Sequence, residues 1–471
     1  MEYRFNEEIF IQSFNAKDTQ LKSADAMRLT HRQDNQFKLF PYKASGKSQA
    51  PIVTELEDVV SGFFRRALNK KTDSIEFETL CSDLLEDLDI EDDDLDFFRD
   101  MIQCNFFVDG NFVADNIGLY PYQTVLNNKS ADNLAQFLFS IFEINDMDCE
   151  KIVSIKDKYN KFNVLEEMVI KAIETKKVSV ADENCRYFLV KTDVQTRFKN
   201  DFYFMLENGM TSLEDLASLF AIYYFYYVSQ TCIILDKFCT GSRTGEEKLY
   251  YALDWEKVSK NRLCCEDGWE KLQENINHMF SHAITLEVLN QTIDKEMYDY
   301  ISFGEMARKN AETDAAIALE IAKAESIYCS YVGDYKGFST IRFQPGSSKT
   351  EEAIKHLYKC VEAQFLNTER KRANQFYNEK FSAFCKGRWI KNRKKSGLVL
   401  NLTERDIIFL TKICLRNQEK IRLKDLFKEY EKRGIYLDGT SKEYLQDYFT
   451  KLNLIDKKSD SGDAQYVKRI L

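Results

Sequence analysis

Proline and glycine are scarce in this chain, 4 and 17 in 471 residues. So few breakers disfavour sheets joined by tight turns and long disordered linkers, and favour long helices. Paired cysteine motifs are missing too. Twelve cysteines are scattered without a C-x-x-C, and the adjacent pair Cys264-Cys265 has no matching pair to complete a four-thiolate zinc site. They read as reduced core thiols of a cytoplasmic protein. The first residues, Met1-Glu2-Tyr3-Arg4, lack the apolar core of a signal peptide. No phosphate loop survives inspection either. Ser45-Gly46-Lys47-Ser48 has Pro41 where the first glycine of G-x-x-x-x-G-K-[ST] belongs. Pro345-Gly346-Ser347-Ser348-Lys349-Thr350 has Ser348 in place of the second glycine and Phe343 in place of the first. An ATPase is therefore not expected, and neither a metal nor another cofactor is indicated.

What is present is a folded, aromatic-rich chain, 44% apolar and 13% aromatic, long enough for two to four domains. Its charge is unevenly placed. The net charge is −10, yet residues 370 to 395 hold ten cations against the single anion Glu379. The cations are Arg370, Lys371, Arg372, Lys380, Lys386, Arg388, Lys391, Arg393, Lys394 and Lys395, interleaved with Phe376, Tyr377, Phe381, Phe384 and Trp389. A segment of that composition can pack and touch a polyanion at once. The alternative is a solvated basic helix that docks on the chain's own acidic portion.

The last seventy residues follow the order helix, helix, helix, hairpin. Thr403 with Asp406 caps the first, and Ile407, Ile408, Leu410, Ile413 and Cys414 recur at helical spacing. The second carries Leu423, Leu426, Phe427 and Tyr430 on one side and stops at Gly434. The third opens at Thr440 with Glu443 as its capping partner and buries Tyr444, Leu445, Tyr448, Phe449 and Leu452. Leu454-Ile455 and Tyr466-Val467 then bracket a Ser-Asp-Ser-Gly-Asp turn at 459–463. The pattern is that of a winged helix, with Lys442, Gln446 and Lys451 toward a groove and Lys457 and Lys458 supporting the wing. Over 401–471 there are 15 cations and 12 anions, modest for a DNA reader, and many winged helices bind only proteins.

Taken in order, residues 1 to about 60 read as irregular or strand-bearing around Ile9-Phe10-Ile11 and Phe37-Lys38-Leu39-Phe40-Pro41, and a helix follows from Glu55 to Leu68. Glu91-Asp92-Asp93-Asp94 suits a helix start and lacks the alternation of a calcium loop. Leu216 to Leu235 runs twenty residues without a charge. Its four tyrosines and its Ser, Thr and Gln residues would each need a partner in lipid, so a buried central helix opened by Ser212 and Asp215 is the expectation. Asp254, Glu256 and Lys257 invite a magnesium-nuclease reading, but their spacing is wrong for the usual two-carboxylate-plus-lysine pattern. His278 and His282, like His356 and Cys360, are four apart and read as ordinary helix-face residues. Met306 to Tyr331 forms an Ala-rich helix, and the helix from Thr350 runs on into the basic stretch as one arm, with Ser396-Gly397 as the hinge. The fold class is mainly α. A mostly helical domain at 1–205 and a central helical domain at 206–368 form an acidic multi-helical body, followed by the basic arm at 369–397 and the winged helix at 398–471.

Arg433-Gly434-Ile435-Tyr436-Leu437-Asp438, the ending from Lys457 to Val467 and Leu253-Asp254-Trp255-Glu256-Lys257 resemble the G subunit of DNA phosphorothioation-dependent restriction systems, DptG or DndG. Phe37-Lys38-Leu39-Phe40-Pro41-Tyr42-Lys43 and Gly62-Phe63-Phe64-Arg65 are similar to that family as well. The resemblance implies one part of a three-part defence complex that attacks DNA lacking the sulfur-modified backbone, with ATP-using F and H partners. It assigns no catalytic residue. Three roles stay open: a non-catalytic DNA-binding and assembly subunit, a scaffold that docks partner proteins without touching DNA, and a cryptic magnesium-dependent nuclease.

Overall fold

The computed structural model describes residues 3–16, 29–31, 37–42, 53–73, 75–86, 88, 90–123, 129–173, 193–294, 296–457 and 465–470. The loop at 45–48, the turn at 459–463 and Lys458 lie outside them. The chain is mainly helical. Helix α1 (Glu7–Ser13) occupies the apolar stretch expected to be irregular. The Asn6 side chain accepts from the Ile9 N–H at 2.8 Å, and this cap, with Phe10 buried beneath, decides for helix. α2 (Glu57–Ala67) turns Val59, Val60, Phe63 and Phe64 inward as the spacing requires. α3 (Phe77–Glu86), α4 (Leu95–Phe106) and the hairpin β1 (Phe107–Val108) with β2 (Asn111–Phe112) follow. The acidic run is an exposed 3-10 turn, Asp92–Asp94, leading into the positive end of α4.

After α5 (Lys129–Ile141) come α6 (Asp146–Tyr159) and α7 (Val164–Ala172), each opened by a capping box, Asn145 with Asp148 and Asn163 with Glu166. α8 (Val194–Glu207) completes the N-terminal part. This part does not share one core. Ile102, Phe106, Phe112 and Val169 belong to a small cluster of their own, whereas Tyr3, Phe10, Phe63 and Phe198 join the large core that extends to the C-terminus.

That large core is built on α9 (Leu213–Asp236). Ser212 caps it by accepting from the Asp215 N–H, and every residue from Leu216 to Leu235 is buried. It is long and apolar enough to cross a membrane, and it lies wholly inside the protein. Its polar groups find partners there, as burial demands. The Tyr223 hydroxyl donates to Asp201 at 2.7 Å, Tyr224 meets the Tyr42 hydroxyl, and Gln230 exchanges two 2.8 Å hydrogen bonds with the Glu247 backbone.

Strand β3 (Tyr250–Leu253), α10 (Leu263–Glu266), α11 (Trp269–Asn277), α12 (Met279–Leu289) and α13 (Tyr300–Ala307) come next. The Ala-rich stretch is divided, because Asn310 caps a new helix, α14 (Ala311–Tyr331), by accepting from the Thr313 N–H at 2.7 Å. α15 (Lys349–Leu366) lies parallel to α14. Asp314 in the first turn of α14 accepts from the Lys349 and Thr350 N–H groups at 3.0 and 2.9 Å, and near the other end Gln364 donates to Asp334 at 3.2 Å. The single arm expected from Thr350 onward does not form, since α15 ends at Leu366 and α16 (Lys371–Arg388) starts after a break, with Tyr377, Phe381, Phe384 and Cys385 buried.

The rest is β4 (Ile390–Asn392), β5 (Leu398–Leu402), α17 (Glu404–Leu415), β6 (Lys420–Arg422), α18 (Leu423–Glu431), β7 (Tyr436–Leu437), α19 (Gly439–Lys451), β8 (Ile455–Lys457) and β9 (Gln465–Lys468). The Thr403–Asp406 capping box is present. α19 starts earlier than expected, with Asp438 rather than Thr440 as the cap, accepting from the Ser441 N–H at 3.0 Å. One sheet has the order β6-β9-β8, all antiparallel. The other has the order β4-β5-β3-β7 and draws its strands from three regions, with β3 parallel to both β5 and β7. Ser396-Gly397 is therefore the turn of the β4–β5 hairpin, with Gly397 at φ 78°, and not a hinge between separate domains.

A buried charge cluster ties the C-terminal helices to the body. Asp201, on α8, accepts two 2.8 Å hydrogen bonds from Arg433, one of 2.8 Å from Arg416 and one of 2.7 Å from Tyr223. Beside it, Gly434 has φ 77°, and a Cβ there would stand 2.2 Å from the Tyr226 ring of α9. Removing one partner from such a buried pair strands the other charge. Arg433→Met is expected to lower the unfolding free energy by about 3–5 kcal/mol, measured by urea unfolding. A loss below about 1 kcal/mol would show that the cluster does not hold the two regions together.

Candidate nucleic-acid interface

The cations of the basic stretch divide into two sets once the chain is folded. Arg370 donates to Asp334 at 3.1 Å. Arg388 donates to Asp406 at 2.6 Å and lies over the Trp389 ring. Lys391 is bound to Asp254, whose carboxyl is held below its usual range by that hydrogen bond first, against burial. Arg393 is a hub: it donates to the carbonyls of Leu253, Asp254 and Glu256 at 2.6, 3.3 and 3.2 Å and to Asn401 at 2.6 Å, fastening the β4–β5 hairpin to β3. Lys442 reaches Glu431 at 3.1 Å. Gln446 is half-buried on α19. The five cations, expected as contacts for a polyanion, are engaged within the protein.

The second set is exposed. Lys371 and Arg372 open α16, Lys386 lies near its end, Lys394 and Lys395 crown the β4–β5 turn, and Lys451 ends α19. None has a carboxylate partner among the described residues. Lys457 is in β8, and Lys458 lies outside the described residues. The outward positions of α19 include Glu443 and Asp447, so this helix offers no basic face.

Asp254 and Glu256 do not converge. Asp254 faces Lys391 and Asn401, while Glu256 is buried and accepts from Ser441 at 3.0 Å and Arg262 at 3.4 Å. Burial raises the Glu256 carboxyl above its usual value. Two carboxylates turned to different partners do not form a shared magnesium site.

Sequence reasoning missed a groove along α16. It has a volume of about 570 Å³, lies between α11, α12, α15 and α16, and is lined by Asn277, His278, Glu362, Lys371, Gln375 and Lys386, among others. Lys371 and Lys386 stand fifteen positions apart, about 22 Å along the helix. His278 and His282 do not act as separate helix-face residues. Both hold the same Asp236 carboxylate, His278 through Nδ1 at 2.9 Å and His282 through Nε2 at 2.7 Å. His278 Nε2 lies 4.0 Å from Glu362. The Asp236 hydrogen bond raises the His278 pKa against the effect of burial, whereas burial lowers that of His282. The four-residue spacing was visible in sequence; the carboxylate that unites the pair, 42 residues earlier, was not.

The chain matches no known family model and no curated protein.

Two outcomes follow from this geometry. Arg393→Ala, which removes the four hydrogen bonds that fasten the β4–β5 hairpin to β3, is expected to cost about 2 kcal/mol or more in urea unfolding, while Lys394→Ala and Lys395→Ala stay within about 0.5 kcal/mol. His278, with a folded pKa above its ordinary 6.5, gives stability that is complete below pH 6.5 and lost as pH rises through the folded value. The difference in unfolding free energy between the wild type and His278→Gln should therefore shrink as pH is raised past that window, and a difference independent of pH would contradict the assignment.

Proposed function

We propose that this chain is a non-catalytic DNA-binding and assembly subunit of a phosphorothioation-dependent restriction complex, working in the cytoplasm with F and H partner subunits on unmodified DNA. The carrying observation is the set of exposed cations at 371, 372, 386, 394, 395 and 451, most of them on α16 and the β4–β5 turn, in a chain whose net charge is −10. The order α17–β6–α18–β7–α19–β8–β9, with β9 between β6 and β8, supports reading residues 398–471 as a winged helix. Because α19 turns Glu443 and Asp447 outward, phosphate contact falls to α16 and the hairpin turn rather than to a helix in the major groove. The sequence resemblance supplies the restriction context; the placement of charge supplies the contact.

A second reading is favoured by the same acidic face. A scaffold that presents Glu443 and Asp447 to a basic partner surface would need no DNA.

Fluorescence anisotropy of the full chain on unmodified duplex DNA over a salt series separates the two. Six phosphate contacts give a log–log slope of about −5. The triple variant Lys371→Glu, Arg372→Glu and Lys386→Glu should flatten that slope by about 3. No binding by the wild type at low salt would leave the scaffold.

A further inference from the structure

The parallel packing of α14 and α15 sets two four-residue pairs side by side. Glu325 and Cys329 are on α14, and His356 and Cys360 are on α15. Glu325 Oε2 lies 2.7 Å from His356 Nδ1, and Cys360 Sγ lies 3.9 Å from the same nitrogen. The donor atoms of Glu325, His356 and Cys360 all fall within 4.8 Å of one another. Cys329, one turn beyond Glu325 on the same side of α14, adjoins Cys360 and is placed to serve as the fourth donor.

The imidazole is oriented from behind. His356 Nε2 faces the Ile341 carbonyl at 3.2 Å, and Phe343 stacks on the ring at 3.9 Å. The carbonyl contact fixes the ring so that Nδ1 is turned toward Glu325 and Cys360. The carbonyl behind a ligating histidine is also the usual outer support of a metal site. Two thiols, one imidazole and one carboxylate make a set suited to a borderline-soft divalent ion. With Zn–S at about 2.3 Å and Zn–N and Zn–O at about 2.0 Å, a tetrahedral ion sets nitrogen and sulfur about 3.5 Å apart and nitrogen and oxygen about 3.3 Å apart, so on binding the 3.9 Å Nδ1–Sγ distance closes slightly and the 2.7 Å Nδ1–Oε2 contact opens to admit the ion. The site is reachable from solvent, because Glu325 remains one-fifth exposed.

We propose that Glu325, Cys329, His356 and Cys360 form a tetrahedral site for zinc or a zinc-like divalent transition ion, clamping α14, α15 and the 341–343 segment together. On binding, each thiol releases its proton to solvent and the sulfur donates a lone pair to the ion. The inference is independent of DNA binding.

The test is titration of the purified full chain with cobalt(II) and with zinc under reducing conditions. The expected result is one equivalent of metal, with the intense visible absorption of tetrahedral cobalt and a near-ultraviolet sulfur-to-cobalt charge-transfer band. Cys360→Ser and Cys329→Ser should each remove about half of the charge-transfer intensity. Glu325→Gln, which keeps both thiols, should retain the band while weakening affinity about tenfold or more. Zinc should raise the Tm of the wild type and leave that of the Cys329→Ser, Cys360→Ser double variant unchanged. Circular dichroism shows whether each variant folds. Absence of tetrahedral cobalt absorption in the wild type, or a spectrum that survives the double variant, would overturn the proposal.

Discussion

The Asp201 carboxylate, wholly buried and held by Arg433, Arg416 and Tyr223, is the contact on which the arrangement of this chain depends. It joins α8, α9, α17 and the end of α18, elements more than two hundred residues apart at the extremes. An isolated carboxylate in that position would cost several kcal/mol in desolvation. A bidentate arginine in fixed geometry offsets that cost and leaves little freedom in how the C-terminal helices meet the body. Gly434, the residue after Arg433, lets the chain turn where any side chain would strike Tyr226.

The same logic governs the sheet at the centre of the molecule. β3 is short, yet it receives β5 on one edge and β7 on the other, so residues near 250, 400 and 436 become one structure. Arg393 secures the junction by donating to the carbonyls of Leu253, Asp254 and Glu256, at and just beyond the end of β3. Part of the basic stretch thus serves the fold, and part remains exposed. Composition counts both alike. Only position distinguishes an arginine spanning two strands from a lysine at the tip of a turn.

The histidines show a related division. His278 and His282 surround a single carboxylate at the edge of a polar groove, while His356 is held by a backbone carbonyl so that its other nitrogen faces a carboxylate and a thiol. In both cases a pair four residues apart acquires meaning from a residue on a neighbouring helix. The groove and the α14–α15 pair are separate places where polar chemistry has been gathered, apart from the Asp201 cluster.

The sequence by itself determined what is local: the mainly helical character, the buried α9 with its Ser212 cap, the Thr403–Asp406 capping box, the stop at Gly434 and the basic composition of residues 370–395. Those features rest on spacing, capping and backbone freedom within a few residues, and they are written in consecutive positions. Tertiary structure alone decided that the stretch at 9–11 is helical, that α14 and α15 are parallel, that β3 recruits strands from far along the chain, and which cations remain exposed. Each of these depends on a partner distant in sequence. A cation spaced for a helix face looks the same whether Asp334, Asp406 or water awaits it. Burial and long-range hydrogen bonds choose among those partners, and neither is encoded in local periodicity.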